Sequence, residues 1–330
     1  MVQTAFLGDV VLTTPLLEAL AARDGPVDVV TTPAAAPLLE THPAVRRVIA
    51  YDKRGADRGL GRLLRLARAL GAAGYDAAYL PHRSLRTAAL AWLARIPRRV
   101  GFADGWRPLY TEARPRPRAG HEADRLLALA DAPAGPARPS LVLTVADRAA
   151  VDAFLAAHGV RAPFVALAPG SIWGSKRWPG YPELARRLAP RLGVVTVGGP
   201  EDAARAEEVA AAARAAGGAA ANGCGALTLR QAAEAIRRAA ALVTNDSAPL
   251  HLAQAVGTPT VAIFGPTVPA FGFGPRGPRD CVVEVAGLAC RPCSAHGPPR
   301  CPLGHHRCMR EVTVDAVLAA LTQAGLGSPA

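Results

Sequence analysis

Aromatic residues make up only 5% of this 330-residue chain, and methionine occurs twice. Charged residues, at 19%, fall below the usual share of about a quarter. Long apolar runs are missing: a membrane-spanning helix needs about 20 consecutive apolar residues, and stretches such as Ala239–Val243 fall far short. No basic segment leading into an apolar one opens the chain, because Asp9 interrupts the first apolar run, so the expectation is a cytoplasmic protein rather than an exported one. The P-loop pattern G-x-x-x-x-G-K-[ST] is absent, which disfavours that class of ATPase.

What is present points to a globular enzyme-sized protein. Apolar residues are 50% of the chain, enough for a sizeable core, and the length suggests two domains. The formal net charge is +12, which favours anionic partners: nucleic acid, an anionic membrane face or phosphorylated small molecules. Five of the six cysteines fall between Cys281 and Cys308. A secreted disulfide scaffold would spread them through a small chain, so this is a local feature.

Short strand signals alternate with helical patterns throughout, which predicts parallel α/β sheets. In the first half, strands are expected at Val2–Phe6, Val27–Thr31, Val45–Ala50, Asp76–Leu80 and Arg99–Phe102. Helices are expected at Asp9–Ala22, Leu60–Leu70, Ser84–Ala94, His121–Leu129 and Val151–His158, with a loop over Trp106–Gly120 and a linker over Asp131–Pro139. The first strand is short for a central one, which fits either a start lying a residue or two upstream or an ordinary short strand. In the second half, strands are expected at Phe164–Ala168, Leu192–Val197, Ala241–Thr244, Thr260–Phe264 and Cys281–Val285. The helices there are Pro179–Leu188, Glu201–Ala216, Leu229–Ala240, Pro249–Val256 and a closing helix over Val312–Ala324. The expected domains are 1–160 and 161–330, both doubly wound, with ligands beyond the carboxyl ends of the strands and in the cleft between the domains.

Three segments carry candidate chemistry. Asp9 follows a strand and Gly8, at a helix start; it is either a general base or a cap for the helix amides. Its position at a helix N-terminus favours the ionised form, so basicity would rest on geometry and desolvation. In Pro169–Pro179, Ser171 and the glycines offer amides and hydroxyls, and Lys176 adds a mobile charge, a set suited to phosphate. The bland reading is a surface loop with Trp178 in the core. In Thr244–Thr267, Asp246 and Ser247 follow a strand and Pro249 suits a first helical turn. Asp246 can accept from sugar hydroxyls, Ser247 can hold phosphate oxygens and His251 can complete an anion site; the alternative is a capped helix with a core histidine.

The fourth segment is Cys290-x2-Cys293-x7-Cys301-x6-Cys308. Four thiolates at this spacing suit a closed, structural zinc site, with an iron–sulfur cluster less favoured. Two disulfides or inert free thiols are the competing readings.

FLGDVVLTTPLL, PGSIWGSKRWP and TNDSAPLHLAQAVGTPTVAIFGPT, in this order, resemble glycosyltransferase family 9, the bacterial lipopolysaccharide heptosyltransferases, and most closely their type II enzymes. The resemblance runs from about Phe6 to about Val314 and includes the CRPC…CPLGHHRCM segment. It implies a GT-B fold of two Rossmann-like doubly wound domains facing across a cleft, with a closing helix that commonly crosses back to the first domain. It also implies inverting transfer of a heptose from an ADP-activated donor to a hydroxyl of an anionic lipid-linked core oligosaccharide, with no catalytic metal. By this resemblance Asp9 is the general base. Ser171, Lys176, Asp246, Ser247, Ala248 and His251 bind the donor, although a glycine is usual where Ala248 stands. Arg83, Arg86 and Arg107 are acceptor-side candidates, or ordinary solubilising charge. The positive surface would draw the protein to the inner membrane face as a peripheral partner.

Three other readings compete. A different nucleotide sugar and glycan would keep the fold and change the substrate. A basic nucleic-acid-binding protein is disfavoured, because the basic residues are dispersed and the cysteine spacing is not that of a finger. A non-catalytic sugar-binding protein is disfavoured by the presence of Asp9, Lys176 and Asp246.

Overall fold

The computed structural model describes residues 1–133 and 135–327; residue 134, within the linker expected over Asp131–Pro139, lies outside them. The chain divides into two compact units, Met1–Val142 and Leu143–Ala330.

The first unit carries β1 (Val2–Gln3), β2 (Val27–Thr31), β3 (Val45–Ala50), β4 (Ala77–Leu80), β5 (Arg98–Phe102) and β6 (Glu112–Arg114). All its ladders are parallel, in two runs, β1-β2-β3 and β4-β5-β6. β1 lies against β4, so the strands read 3-2-1-4-5-6, the doubly wound order. The second unit carries β7 (Phe164–Ala168), β8 (Gly193–Thr196), β9 (Ala220–Asn222), β10 (Ala241–Asn245), β11 (Thr260–Phe264) and β12 (Cys281–Glu284). Its six-stranded parallel sheet runs β12-β11-β10-β7-β8-β9, the same order again. β7, β10 and β11 are buried along their whole length, as continuous apolar strands covered on both faces should be. In each unit the strand order reverses at one place, between β1 and β4 and between β7 and β10. The loops leaving the carboxyl ends of those strands are therefore the expected binding positions.

Several elements differ from the sequence expectation, each for a local reason. The first strand stops at Gln3, and the helix begins at Leu7, ahead of Asp9. That helix breaks at Thr13 and resumes as Thr14–Asp24. Pro15 has no amide for the Val11 carbonyl, and Thr14 Oγ1 donates to that carbonyl instead, at 2.9 Å. The expected loop over Trp106–Gly120 contains the edge strand β6, whose Glu112 accepts from Arg98 Nε at 2.6 Å on the neighbouring strand. β9 went unread because Ala220-Ala221-Asn222 has no β-branched residue.

The division between units falls after Val142 rather than after residue 160. The intervening helix spans Val145–Ala157 and starts early because Thr144 and Asp147 cap it reciprocally, with Asp147 N to Thr144 Oγ1 at 3.1 Å and Thr144 N to Asp147 Oδ2 at 2.8 Å. It belongs to the second unit, packed on the helix Leu229–Arg238 through Arg230–Asp147, at 3.2 Å, and Arg238–Asp152. The closing helix, Val314–Gln323, buries Val317, Leu318 and Leu321 in the second unit's own core. It is part of that unit rather than the crossing element the resemblance implied. Among the described residues no helix is long and apolar enough to cross a membrane.

Candidate active site

In the first unit, the chain leaves β1 and turns into the helix Leu7–Leu12, which places Asp9 in its first turn. Phe6 N donates to Asp9 Oδ2 at 3.1 Å, the backward arm of a capping box. Asp9 therefore caps, and its carboxyl is also held above the ordinary carboxylate range. Burial, and after it the charge of Glu122, raise its carboxyl to about 6, with the Phe6 amide and Arg116 only partly opposing them. Glu122 is buried at the start of the helix Glu122–Leu127, and it pairs with Arg116 and with Arg125 at 3.6 Å. The helix-end effect expected from sequence is thus outweighed by desolvation and a neighbouring carboxylate. Arg116 and Glu122 had no sequence signal, since nothing local links them to Asp9.

Around the same strand ends lies a cationic group. Lys53 Nζ donates to Thr4 Oγ1 at 3.0 Å, and Thr4 Oγ1 is 3.3 Å from Thr87 Oγ1. Burial, with Lys53, Arg83 and Arg54 nearby, lowers His82 to about 4, so it is neutral at pH 7. Burial and the charges of Arg54 and Arg86 lower Lys53. Of the acceptor candidates read from sequence, Arg83 pairs with Asp104 at 3.1 Å. Arg86 bonds Tyr51 and the carbonyls of Asp57 and Arg58, the latter two at 2.6 and 2.7 Å. Arg107 is exposed in a separate turn.

In the second unit the two expected segments converge at the reversal between β7 and β10. Lys176 Nζ donates to Asp246 Oδ2 at 2.6 Å, and Thr267 Oγ1 donates to the same oxygen at 2.6 Å. Lys176 is therefore a buried, fixed charge rather than a mobile one. Ser171 is buried, and its Oγ accepts from Trp173 N at 3.2 Å, shaping the loop. Ser247 precedes the helix Ala248–Val256, whose first residue is Ala248.

His251 is buried in that helix. Its Nδ1 donates to Gln254 Oε1 at 2.9 Å, because Gln254 Nε2 is engaged with Gly274 O at 3.0 Å. Burial lowers its pKa, while Asp246 and Lys176 act on it in opposite directions. His251 is thus a neutral neighbour of the Lys176–Asp246 pair. Trp178 is core, with Nε1 donating to Val312 O at 3.0 Å.

Sequence reasoning missed Asn245 and Thr267. Asn245 Oδ1 accepts from Trp178 N at 3.2 Å, and Nδ2 donates to Pro169 O and Gly170 O, both at 3.2 Å. It ties the end of β10 to the loop after β7. An asparagine at the end of an apolar strand was the available signal.

None of the six cysteines is paired in a disulfide. Among the described residues, no group of three or more His, Cys, Asp or Glu side chains is arranged to hold a metal ion. The four clustered thiols do share a neighbourhood. Cys293 is raised by burial and by Cys290 and Cys301, and Cys308 is pushed up to about 11 by burial and then by Cys293.

Two doubly wound parallel units in one chain, each with polar loops gathered where its strand order reverses, make a GT-B-type fold. The family model described as glycosyltransferase family 9 (heptosyltransferase) matches residues 63–300, and the chain belongs to that family. It is 29% identical over 287 residues to lipopolysaccharide heptosyltransferase 2 of Salmonella typhimurium, covering 81% of this chain and 82% of that one. It is 32% identical over 316 residues to lipopolysaccharide heptosyltransferase 1 of Pseudomonas aeruginosa, covering 89% and 85%. The solved structure of Escherichia coli ADP-heptose lps heptosyltransferase II superposes with a TM-score of 0.80 at 26% identity, covering 98% of this chain and 97% of that one.

Proposed function

We propose that this glycosyltransferase moves a heptose from an ADP-activated donor to a hydroxyl of an anionic, lipid-linked core oligosaccharide, with inversion and with Asp9 as general base. The observation that carries the base assignment is the Asp9 carboxyl, raised to about 6 beside the end of β1. Such a group is ionised at pH 7 yet basic enough to accept a proton late in the step.

In this reading the acceptor oxygen attacks the anomeric carbon and forms the new glycosidic bond. The bond from that carbon to the diphosphate oxygen breaks, ADP leaves with the electron pair, and the hydroxyl proton passes to Asp9. Negative charge grows on the leaving diphosphate. Lys176, Ser171, Ser247 and the first amides of the helix Ala248–Val256 would meet it, most strongly in the transition state. The diphosphate would take over part of the Lys176 charge that Asp246 now holds, which frees Asp246 for sugar hydroxyls. Ala248 and His251 would complete the wall of this pocket.

The group formed by Lys53, Arg54, His82 and Arg83 supports an anionic acceptor, with carboxylate or phosphate bound beside Thr4. Contact with an anionic membrane face is supported by the helix Leu60–Ala72. It has no acidic residue; Leu60 and Leu64 are 75% and 39% exposed, and Arg62, Arg65 and Arg68 are exposed as well. For Cys290, Cys293, Cys301 and Cys308 we propose a structural zinc. A set of four thiols is its usual donor chemistry, and the segment would have to draw them together to bond distance.

The experiment is a donor panel. ADP-, GDP- and UDP-activated sugars are incubated with the protein and a heptose-deficient, lipid-linked core acceptor. ADP release from ADP-heptose with a heptose-sized gain in acceptor mass is expected. Transfer only from another donor overturns the donor assignment and leaves the family intact.

A further inference from the structure

The cysteine-rich segment, 288–306, is not used by the chemistry above, yet it is bonded to both loops that carry the donor-binding groups. On one side it meets the turn Gly174–Lys176. His306 Nε2 lies 2.7 Å from Ser175 O. A carbonyl can only accept, so Nε2 carries the proton and donates. Ser175 Oγ donates to Pro298 O. Gly174 has no room for a side chain, because a Cβ there would strike Pro299 O. His306 holds a left-handed backbone, φ 51°, uncommon for a residue with a side chain.

On the other side the segment meets the turn Gly265–Thr267. Cys293 N donates to Pro266 O at 2.8 Å. The Arg291 side chain, 7% exposed, donates to Gly265 O, to Thr267 O at 3.1 Å, to Val285 O at 2.6 Å and to Glu284 Oε2 at 2.7 Å. The two turns then converge on one atom, since Lys176 and Thr267 both donate to Asp246 Oδ2.

We propose that this segment is a strap that sets the separation of the two donor loops, and that Arg291 and His306 are positioning residues for the nucleoside diphosphate end of the donor. Neither has to touch the donor. Arg291 fixes the turn that carries Thr267, and His306 fixes the turn that carries Lys176. A planar fork with several fixed donors suits Arg291 for gathering carbonyls, which a lysine at the same place cannot do. The inference rests on the reading of these loops as the donor pocket.

The test measures ADP affinity by calorimetry, the KM for each substrate and the melting temperature, in the full chain and three variants. His306→Phe keeps a ring and removes the donor. His306→Gln restores an N–H at similar reach. Arg291→Lys keeps the charge and loses the fork. Losing the His306 bond, or part of the Arg291 set, is expected to weaken ADP about tenfold. The donor KM should rise with it, the acceptor KM should stay unchanged, and His306→Gln should bind as the unaltered chain does. Wild-type ADP affinity in both loss variants overturns the strap. So does a fall in melting temperature with equal changes in both KM values, which marks a purely structural role. Failure of the unaltered chain to bind ADP overturns the donor reading itself, and the strap with it.

Discussion

Lys176 Nζ donates to Asp246 Oδ2 at 2.6 Å across 70 residues of sequence, with side chains only 9% and 10% exposed. Such a pair fixes geometry more than it stabilises, because both charges lose water. Removing one partner leaves the other buried and uncompensated, at a cost of about 3–5 kcal/mol. Lys176→Met and Asp246→Asn should each lower the melting temperature, and the double variant should recover much of the loss. None of the three should regain transfer, since the diphosphate loses its counter-charge. Calorimetric melts alongside an ADP-release assay check this; a double variant that transfers normally would remove Lys176 and Asp246 from the donor site.

Asp9 gives a pH signature. Its carboxyl titrates at about 6, so transfer should rise through that pH as the base ionises. Glu122→Gln removes a repelling carboxylate and releases Arg116, and both changes lower the Asp9 pKa. The acidic limb of the rate profile should therefore move to lower pH. A limb unmoved by Glu122→Gln would show that another group controls it.

The same shift has a stability consequence. The folded-state pKa lies above the ordinary carboxylate value of 3.8, so folding favours the protonated form. Asp9 favours the fold below pH about 4, loses that contribution as pH rises towards 6, and carries the full penalty above it. Asp9→Asn should therefore melt higher than the unaltered chain at pH 8 and show no such advantage at pH 4. Paired melts at the two pH values measure this, and an equal difference at both would contradict it.

The exposed leucines and arginines of the helix Leu60–Ala72 predict salt-sensitive binding to vesicles rich in anionic lipid, and none to neutral vesicles. Leu60→Ser with Leu64→Ser, or Arg65→Glu with Arg68→Glu, should release the protein in a sedimentation assay. Retained binding in both double variants would move the contact elsewhere.

A structural zinc predicts about one equivalent of metal in the purified chain, removed by Cys290→Ser with Cys293→Ser. Metal-free protein with four titratable thiols and an unchanged melt would assign the cysteines to free thiols.

Much of this was legible because it is local. β2, β3, β7 and β11 fall where their apolar runs begin and end, and the three motifs lie at strand ends by their own turn chemistry. The unread parts depend on distant contacts. Asp9 looked like a cap because its helix is local, whereas Glu122, which raises it, arrives more than a hundred positions later. Lys176 looked mobile because Asp246 and Thr267 reach it only through the fold. β6 and β9 are edge strands of three residues, too short for a period to register. The unit boundary was placed late because nothing local to Val145–Ala157 says which unit it packs on, whereas Asp147 and Asp152 meeting Arg230 and Arg238 assign it to the second unit.

The most direct test of the central claim is to follow transfer from ADP-heptose to a heptose-deficient lipid-linked core by mass, with Asp9→Asn in parallel. The account predicts ADP release matched by a heptose-sized mass gain. It also predicts unchanged ADP binding by the variant and transfer slowed by about 10²-fold or more. Near-normal transfer by Asp9→Asn would contradict the assignment of the base.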